Sequence, residues 1–275
     1  WTPIKLFYNV VCTLQFVRRI ARKFLSPVYK LYEKRLLSQV RKGPIPNHLA
    51  VIMDGNRRYA ESLGLHPNEG HVRGKDTLEN LSDWCRNLNI RYLTVYAFSL
   101  ENFRREEEEL EALMDLFEES FRNAGEDPRV HKYKVRVRAL GHRELLPDRV
   151  VEAIEYAESR TKDYKDYNYS LAVAYGGRQE IVRSMKKIGE KIESGEIDSN
   201  QINADLISDN LYTSGLPDPD LILRTSGEER VSNFLLWQLA YSELYFADVF
   251  WPELRKIDFL RAIRSFQQRK RRLGH

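Results

Sequence analysis

Six short apolar runs recur along the chain, and most are followed by a stretch whose apolar residues return every three or four positions. The runs are Leu49–Met53, Tyr92–Phe98, Lys134–Leu140, Tyr169–Ala174, Leu221–Arg224 and Leu244–Phe246. Their shortness and their apolar, often β-branched or aromatic content predict strands. Between them Leu78, Leu81, Cys85 and Leu88 share one helical face, as do Leu110, Met114, Phe117 and Phe121. Further helices are predicted over Asp148–Lys162, Glu180–Glu193 and Phe259–Arg272. Strands that are nearly continuous in apolar residues must be covered on both faces, so the class is α/β: an open, mostly parallel β-sheet flanked by helices. The acidic run Glu106–Glu109 reads as the solvated, dipole-favoured start of a helix. No internal repeat or low-complexity segment interrupts the pattern.

Ahead of the first strand the pattern differs. From Ile4 to Val40, Leu6, Val10, Leu14 and Val17 fall at helical spacing, and Arg18, Arg19, Arg22 and Lys23 follow. This predicts an N-terminal helical arm. It reads equally as an amphipathic helix lying on anionic lipid, a peripheral membrane contact, or as a helix packed on the body or on a partner chain. "KGPIPNH" breaks the helical pattern and marks the boundary, dividing the chain into an arm, 1–44, and a body, 45–275. Charge follows the same division. Residues 1–44 carry ten Lys/Arg against Glu33 alone, and Leu254–His275 carry eight against Asp258, while the whole chain nets only +4. The ends are basic and the body acidic, which argues against a nucleic-acid binder, whose cations would spread over a folded face. Two cysteines, Cys12 and Cys85, suggest neither a disulfide framework nor a zinc site, so a cytoplasmic setting is expected. No apolar run reaches the 18 residues that a membrane span needs.

Polar clusters gather where strands end, and in open α/β sheets ligands bind outside the carboxyl ends of strands. After the first run comes Asp54-Gly55-Asn56-Arg57-Arg58. Gly55 permits a tight turn, and a helix opening there offers free N–H groups to a phosphate. Asp54 could hold Mg²⁺ together with phosphate oxygens, or it could simply cap the helix. "FSLENFRR", Phe98 to Arg105, follows the second run. "RTSGEERVSNF" follows the fifth and brings Arg224, Arg230 and Ser232 near one turn, a set suited to a diphosphate, with surface pairing to Glu228 or Glu229 as the alternative. A fourth cluster is assigned to Glu243, an acid inside "LLWQLAYSELYFADVFW" that needs a partner, a metal being one candidate. Neither a G-x-x-x-x-G-K-[ST] loop nor a G-x-G-x-x-G fingerprint occurs.

"HLAVIMDGNRRYA", "YAFSLENF", "YGGR", "LILRTSGEERVSNFLLWQLAYSELYF" and "RRLGH" together resemble the cis-prenyltransferase family, in register from about Ile45 to Gly274. The resemblance implies a Mg²⁺-dependent enzyme that extends an allylic prenyl diphosphate with isopentenyl diphosphate to a long-chain polyprenyl diphosphate. It implies a homodimer with a hydrophobic tunnel, whose volume is expected to depend on residues such as Ala97, Leu140 and Tyr167. By the same likeness, Asp54 is the essential aspartate and Glu243 a second metal-linked acid. Gly55, Asn56, Arg57, Arg58, Tyr59 and His71 form the allylic diphosphate cradle. Arg224, Arg230 and Ser232 hold isopentenyl diphosphate. Ser99, Leu100, Glu101, Asn102, Phe103 and Arg105 form the loop between the substrates, with Asn102 as a proton acceptor. Arg272 and Gly274 complete the partner subunit's site.

Two positions depart from many bacterial members: Pro67 stands where they have an arginine, and Phe103 where they have the tryptophan of "SENW". With "DGNRR", these resemble archaeal or eukaryotic-type members. Two other readings are a member that transfers the allylic group to a different acceptor, and a non-catalytic partner subunit. The second would be expected to lack Asp54, Arg224 or Arg230, all of which are present. No DDxxD metal motif occurs, which excludes the trans-type synthases.

Overall fold

The computed structural model describes residues 29–269. The arm up to residue 28 and the terminus that carries Arg272 and Gly274 lie outside the described residues. The chain opens with helix α1 (29–40) and then alternates: β1 (His48–Ile52), α2 (Asn56–Ser62), α3 (Pro67–Asn87), β2 (Tyr92–Tyr96), α4 (Glu107–Glu126), α5 (Pro128–Lys132), β3 (Val135–Leu140), α6 (Asp148–Thr161), β4 (Tyr167–Ala172), α7 (Gly177–Glu193), α8 (Ala204–Asp209), β5 (Leu221–Arg224), β6 (Glu243–Phe246) and α9 (Lys256–Gln268). The six strands form one sheet in the order β3-β4-β2-β1-β5-β6, every neighbouring pair parallel.

Each predicted strand is present, Leu221–Arg224 with its predicted bounds and the other five with shifted ends. Tyr92–Phe98 and Tyr169–Ala174 stop early because the pairing stops: the N–H groups of Ala97 and Phe98 both donate to Ala172 O, and Ala174 turns to φ 50°. Side chains along a strand alternate between two faces. Leu49, Val51, Leu221 and Leu223 therefore enter the larger core, under α1, α3, α4, α6 and α9, while Ala50, Ile52 and Ile222 enter a smaller one with Tyr96, Tyr175 and Phe234. Pro-led α5 and short α8 carry too few periodic apolar residues to stand out in the sequence.

His48, the first residue of β1 and 1% exposed, ties that strand to the middle of β2. Its Nδ1 lies 2.7 Å from Pro217 O and its Nε2 2.8 Å from Thr94 Oγ1. A carbonyl can only accept, so Nδ1 carries the proton and Nε2 accepts from the threonine hydroxyl. Burial pushes the imidazole down to about 4, against the pull of Pro217 O and Asp220. The unfolded chain therefore takes up a proton that the folded chain refuses. His48's contribution is fully present above its unfolded pKa near 6.5 and is lost as pH falls toward 4, by about 3 kcal/mol. Urea unfolding of wild type and His48→Gln at pH 7.5 and 4.5 checks this. The wild type's advantage should shrink by that amount at the lower pH, and a constant difference would remove His48 as the cause.

Candidate active site

Parallel pairing sets the carboxyl ends of β1 and β5 side by side, with Ile52 in register with Arg224. Two residues beyond Ile52, the backbone of Asp54 is braced. Its N–H donates to Thr225 Oγ1 at 3.0 Å, and its carbonyl accepts from the Thr225 hydroxyl at 2.7 Å and from Trp251 N at 3.0 Å. Gly55 then adopts φ 105°, and a Cβ there would stand 2.8 Å from the Phe250 ring, so glycine is the residue that fits. The turn starts α2 and leaves the Asp54 carboxylate between two cations. Arg58 Nη2 donates to Oδ1 at 2.9 Å and Arg224 Nη2 to Oδ2 at 2.8 Å. Arg224 is 4% exposed, and its other terminal nitrogen donates to Ser232 Oγ at 2.8 Å and to the Arg230 carbonyl.

The loop that supplies Ser232 is strained. Ser226, Ser232, Asn233 and Leu235 all have positive φ, a conformation that costs non-glycine residues energy and collects at functional sites. Arg230 points outward, 62% exposed, and pairs with Glu228 at 2.5 Å, so the surface pairing foreseen for it is present; Glu228 also accepts from Arg58 at 3.0 Å.

A second charged knot lies beside the first. Glu109, 6% exposed, accepts from Arg105 Nη1 at 2.7 Å; His71 Nε2 lies 3.1 Å from the same oxygen, and Arg57 Nε 3.7 Å from the other. This corrects the reading of Glu106–Glu109 as a solvated run: Glu106 to Glu108 are exposed, but Glu109 is buried. Its position four and eight residues before Leu113 and Phe117, on the core face of α4, was the available signal. Burial acts to raise the Glu109 carboxyl, but His71, Arg105 and Arg57 overcome it and hold it below the usual range. Burial pushes His71 down, helped by Arg105 and opposed by Glu109. Arg57 and Arg58 are consecutive on α2, yet they turn to different carboxylates.

The loop between these knots is built on itself. Asn102 Oδ1 accepts from Ser99 N at 3.0 Å, which leaves the second lone pair and the amide N–H groups for a ligand. Phe103 stands edge-on to Phe98 with centroids 4.9 Å apart, and Leu100 packs against the larger core. Glu101 reaches Asn233 at 3.4 Å. Tyr59 accepts from Arg73 at 2.9 Å through its hydroxyl. Asn56 donates to Met53 O at 3.2 Å, while its Oδ1 is buried with no partner.

From this cradle a cavity of about 300 Å³ runs between α3, α4 and the sheet. Met53, Asn56 and His71 stand at one end and Arg91 and Tyr167 at the other, with Leu78, Leu93, Ala97 and Phe117 along the wall. His71 to Arg86 on α3 measures roughly 20 Å at 1.5 Å per residue. Ala97 and Tyr167 line this cavity as expected, but Leu140 does not: it follows the strand alternation into the smaller core on the opposite face.

Glu243 is also displaced from its expected place. It begins β6 in register with Leu221, the first residue of β5, so it sits at the amino end of the sheet, about 10 Å of strand below Arg224. There its carboxylate accepts from Arg269 at 2.8 Å. Within one chain it does not meet Asp54. No group of three or more His, Cys, Asp or Glu side chains able to hold a metal occurs among the described residues, nor does a helix long and apolar enough to cross a membrane.

The "Putative undecaprenyl diphosphate synthase" family model matches residues 52–274. The tritrans,polycis-undecaprenyl-diphosphate synthase (geranylgeranyl-diphosphate specific) of Methanopyrus kandleri is 53% identical over 258 residues, 94% of this chain and 95% of that protein. The protein of the same name from Picrophilus torridus is 53% identical over 247 residues, 90% of this chain and 97% of its own. A crystal structure of lavandulyl diphosphate synthase from Lavandula x intermedia in complex with dimethylallyl diphosphate superposes with a TM-score of 0.80 at 36% identity, covering 84% of this chain and 99% of that one.

Removing the Glu109 carboxylate would leave Arg105 and His71 facing each other without their common acceptor. Glu109→Ala should lower stability by about 2 kcal/mol, the range for hydrogen bonds to charged groups. Urea titration at pH 7.5 checks this, and an unchanged midpoint would show that solvent replaces the carboxylate.

Proposed function

The chain belongs to the cis-prenyltransferase family, and on that premise we propose that it lengthens geranylgeranyl diphosphate with successive isopentenyl diphosphate units to an undecaprenyl-length chain, as a Mg²⁺-dependent homodimer. One observation carries the reading: a buried, strand-anchored arginine, Arg224, and a helix-borne one, Arg58, flank a single carboxylate, Asp54, whose chain neighbours Met53 and Asn56 line one end of an apolar cavity. Diphosphates are recognised by cations at the mouth, and the growing hydrocarbon needs the cavity behind it.

In this reading Arg57, Arg58 and His71 hold the allylic diphosphate, with the prenyl chain in the cavity between α3 and α4. Arg224, Arg230 and Ser232 hold isopentenyl diphosphate at the end of β5. The allylic C–O bond breaks, diphosphate leaves, the new C–C bond forms, and a proton is lost from the isopentenyl unit. In this reading Asn102, whose oxygen keeps a second lone pair, receives it. Charge builds on the departing diphosphate, and fixed cations aimed at it lower the barrier.

The residues fit a magnesium ion that arrives with the diphosphate. Mg²⁺ typically takes one or two carboxylates and fills its remaining positions with phosphate oxygens and water. Asp54 is 24% exposed and its oxygens retain lone pairs beyond the two arginine contacts. When bound, the ion would supply further stabilisation of the leaving diphosphate. Glu243, held by Arg269 at the far end of the sheet, is not part of that set within one chain.

Incubation with labelled isopentenyl diphosphate and a panel of allylic starters, followed by product sizing, tests the reaction. Geranylgeranyl diphosphate should be the preferred starter and an eleven-unit chain the main product. Asp54→Asn, which keeps the shape and removes the charge, should lower kcat about a thousandfold. Activity near wild type would reject the role of the carboxylate.

The homodimer is tested through the tail. Arg272 and Gly274 fall within the family match, and in this reading they complete the partner subunit's site. A chain lacking 272–275 should show a raised KM for isopentenyl diphosphate. Mixing it with Asp54→Asn chains should restore activity, because one composite site then has every part. Absence of rescue in a sample shown to contain heterodimers would place the tail in its own subunit.

A further inference from the structure

The free edge of the sheet carries a second cleft, of about 690 Å³, along β3 between α6 and the segment around Tyr212. β3 is separated from β1 by β4 and β2, so this cleft lies away from the cradle at Asp54. It is not open to an added strand. The edge N–H groups of Val137 and Ala139 already donate to Thr161 Oγ1 at 3.1 Å and Glu158 Oε1 at 2.9 Å.

Arg136 and Arg138 alternate along β3 and so share one side of it. Among the described residues neither makes a salt bridge. Arg138 is partly buried. Its Nη1 reaches only Ser214 O, at 3.4 Å, and its Nε is buried with no partner. Burial and the neighbouring Arg136 both weaken its hold on its proton, opposed by Glu158. The other charged groups of the cleft are engaged or balanced. Arg143 donates to Glu158 at 2.6 Å, and the Arg183 guanidinium lies 4.5 Å from the centre of the Tyr212 ring. Glu144 is held by His142 at 2.8 Å, and Lys162 and Glu155, of opposite charge, also line the cleft.

Two adjacent guanidiniums outside any salt bridge, one of them with an unmet buried N–H, are costly to hold together. Their planar forks match the spacing of phosphate oxygens. We propose that this cleft binds a small anion bearing a phosphate or diphosphate group, seated between Arg136 and Arg138 and separate from the catalytic cradle.

Inorganic pyrophosphate, the leaving group of the proposed reaction, is the probe. In calorimetric titration the wild type should take up one more pyrophosphate per chain than Arg136→Gln/Arg138→Gln. The variant's kcat and KM should stay within about twofold of wild type, as for substitutions away from a working site. Hydrogen exchange of wild type over residues 135–143 should slow when pyrophosphate is added, a readout that needs no variant. Flotation on phosphatidic acid vesicles separates two sources of the group: weaker flotation of the variant assigns it to a lipid head group, and equal flotation to a free diphosphate. Equal stoichiometry in wild type and variant, or unchanged exchange over β3, overturns the proposal.

Discussion

Cations gathered to hold an anion repel one another when the anion is absent, and the architecture around Asp54 answers that constraint. Two carboxylates hold these cations apart and pair them. Asp54 takes Arg58 and Arg224, and Glu109 takes Arg105, His71 and Arg57. A helix turns about 100° per residue, so the consecutive arginines of α2 point in different directions and reach separate acids. The same short helix thereby joins the end of β1 to the start of α4, and the two knots are not independent.

Holding α2 in that position is mainly a matter of close backbone approach. A Cβ on Gly70 would lie 2.2 Å from the Asn56 carbonyl, and one on Gly74 would lie 2.5 Å from Asn56 Oδ1. Two glycines one turn apart on α3 let it settle directly onto the first turn of α2. Trp251, fully buried, closes the third side: its indole N–H donates to Gly74 O at 2.9 Å while its backbone N–H donates to Asp54 O. The cradle is thus fixed by strand order, by glycine contacts and by one tryptophan, before any ligand arrives.

The parts of this arrangement that were legible in the sequence are those written as local pattern. Continuous apolar runs identified all six strands, and turn residues after β1, β2 and β5 marked the ends where Asp54, Ser99 and Arg224 sit. What local pattern could not carry is which end of a strand a residue occupies once neighbours are paired. Glu243 stood near a strand, but its register with Leu221 puts it at the amino end. Leu140 failed for a related reason, because a single residue along a strand decides which of two cores a side chain enters. Glu109 was hidden differently, in an acidic run whose first three members are solvated and whose fourth turns inward with the core face of α4. Thr225 and Trp251 carry no charge pattern at all, and only the folded chain shows that they brace Asp54.

Pro67 is where the chain departs from many bacterial members of the family. It occupies the first turn of α3, where a fixed φ and a missing N–H suit a helix start. On the proposed reading an arginine there would add a cation to the allylic diphosphate cradle, and Arg73, on the same helix, is spent on the Tyr59 hydroxyl. His71 is a weak substitute while burial and Arg105 keep its proton affinity low. On the proposed reading, with fewer fixed charges on the diphosphate, more of the affinity for a starter falls to the cavity behind it. That is also the part able to sense length. Each further five-carbon unit buries apolar surface at about 25 cal/mol per Å², whereas the diphosphate is the same on every starter.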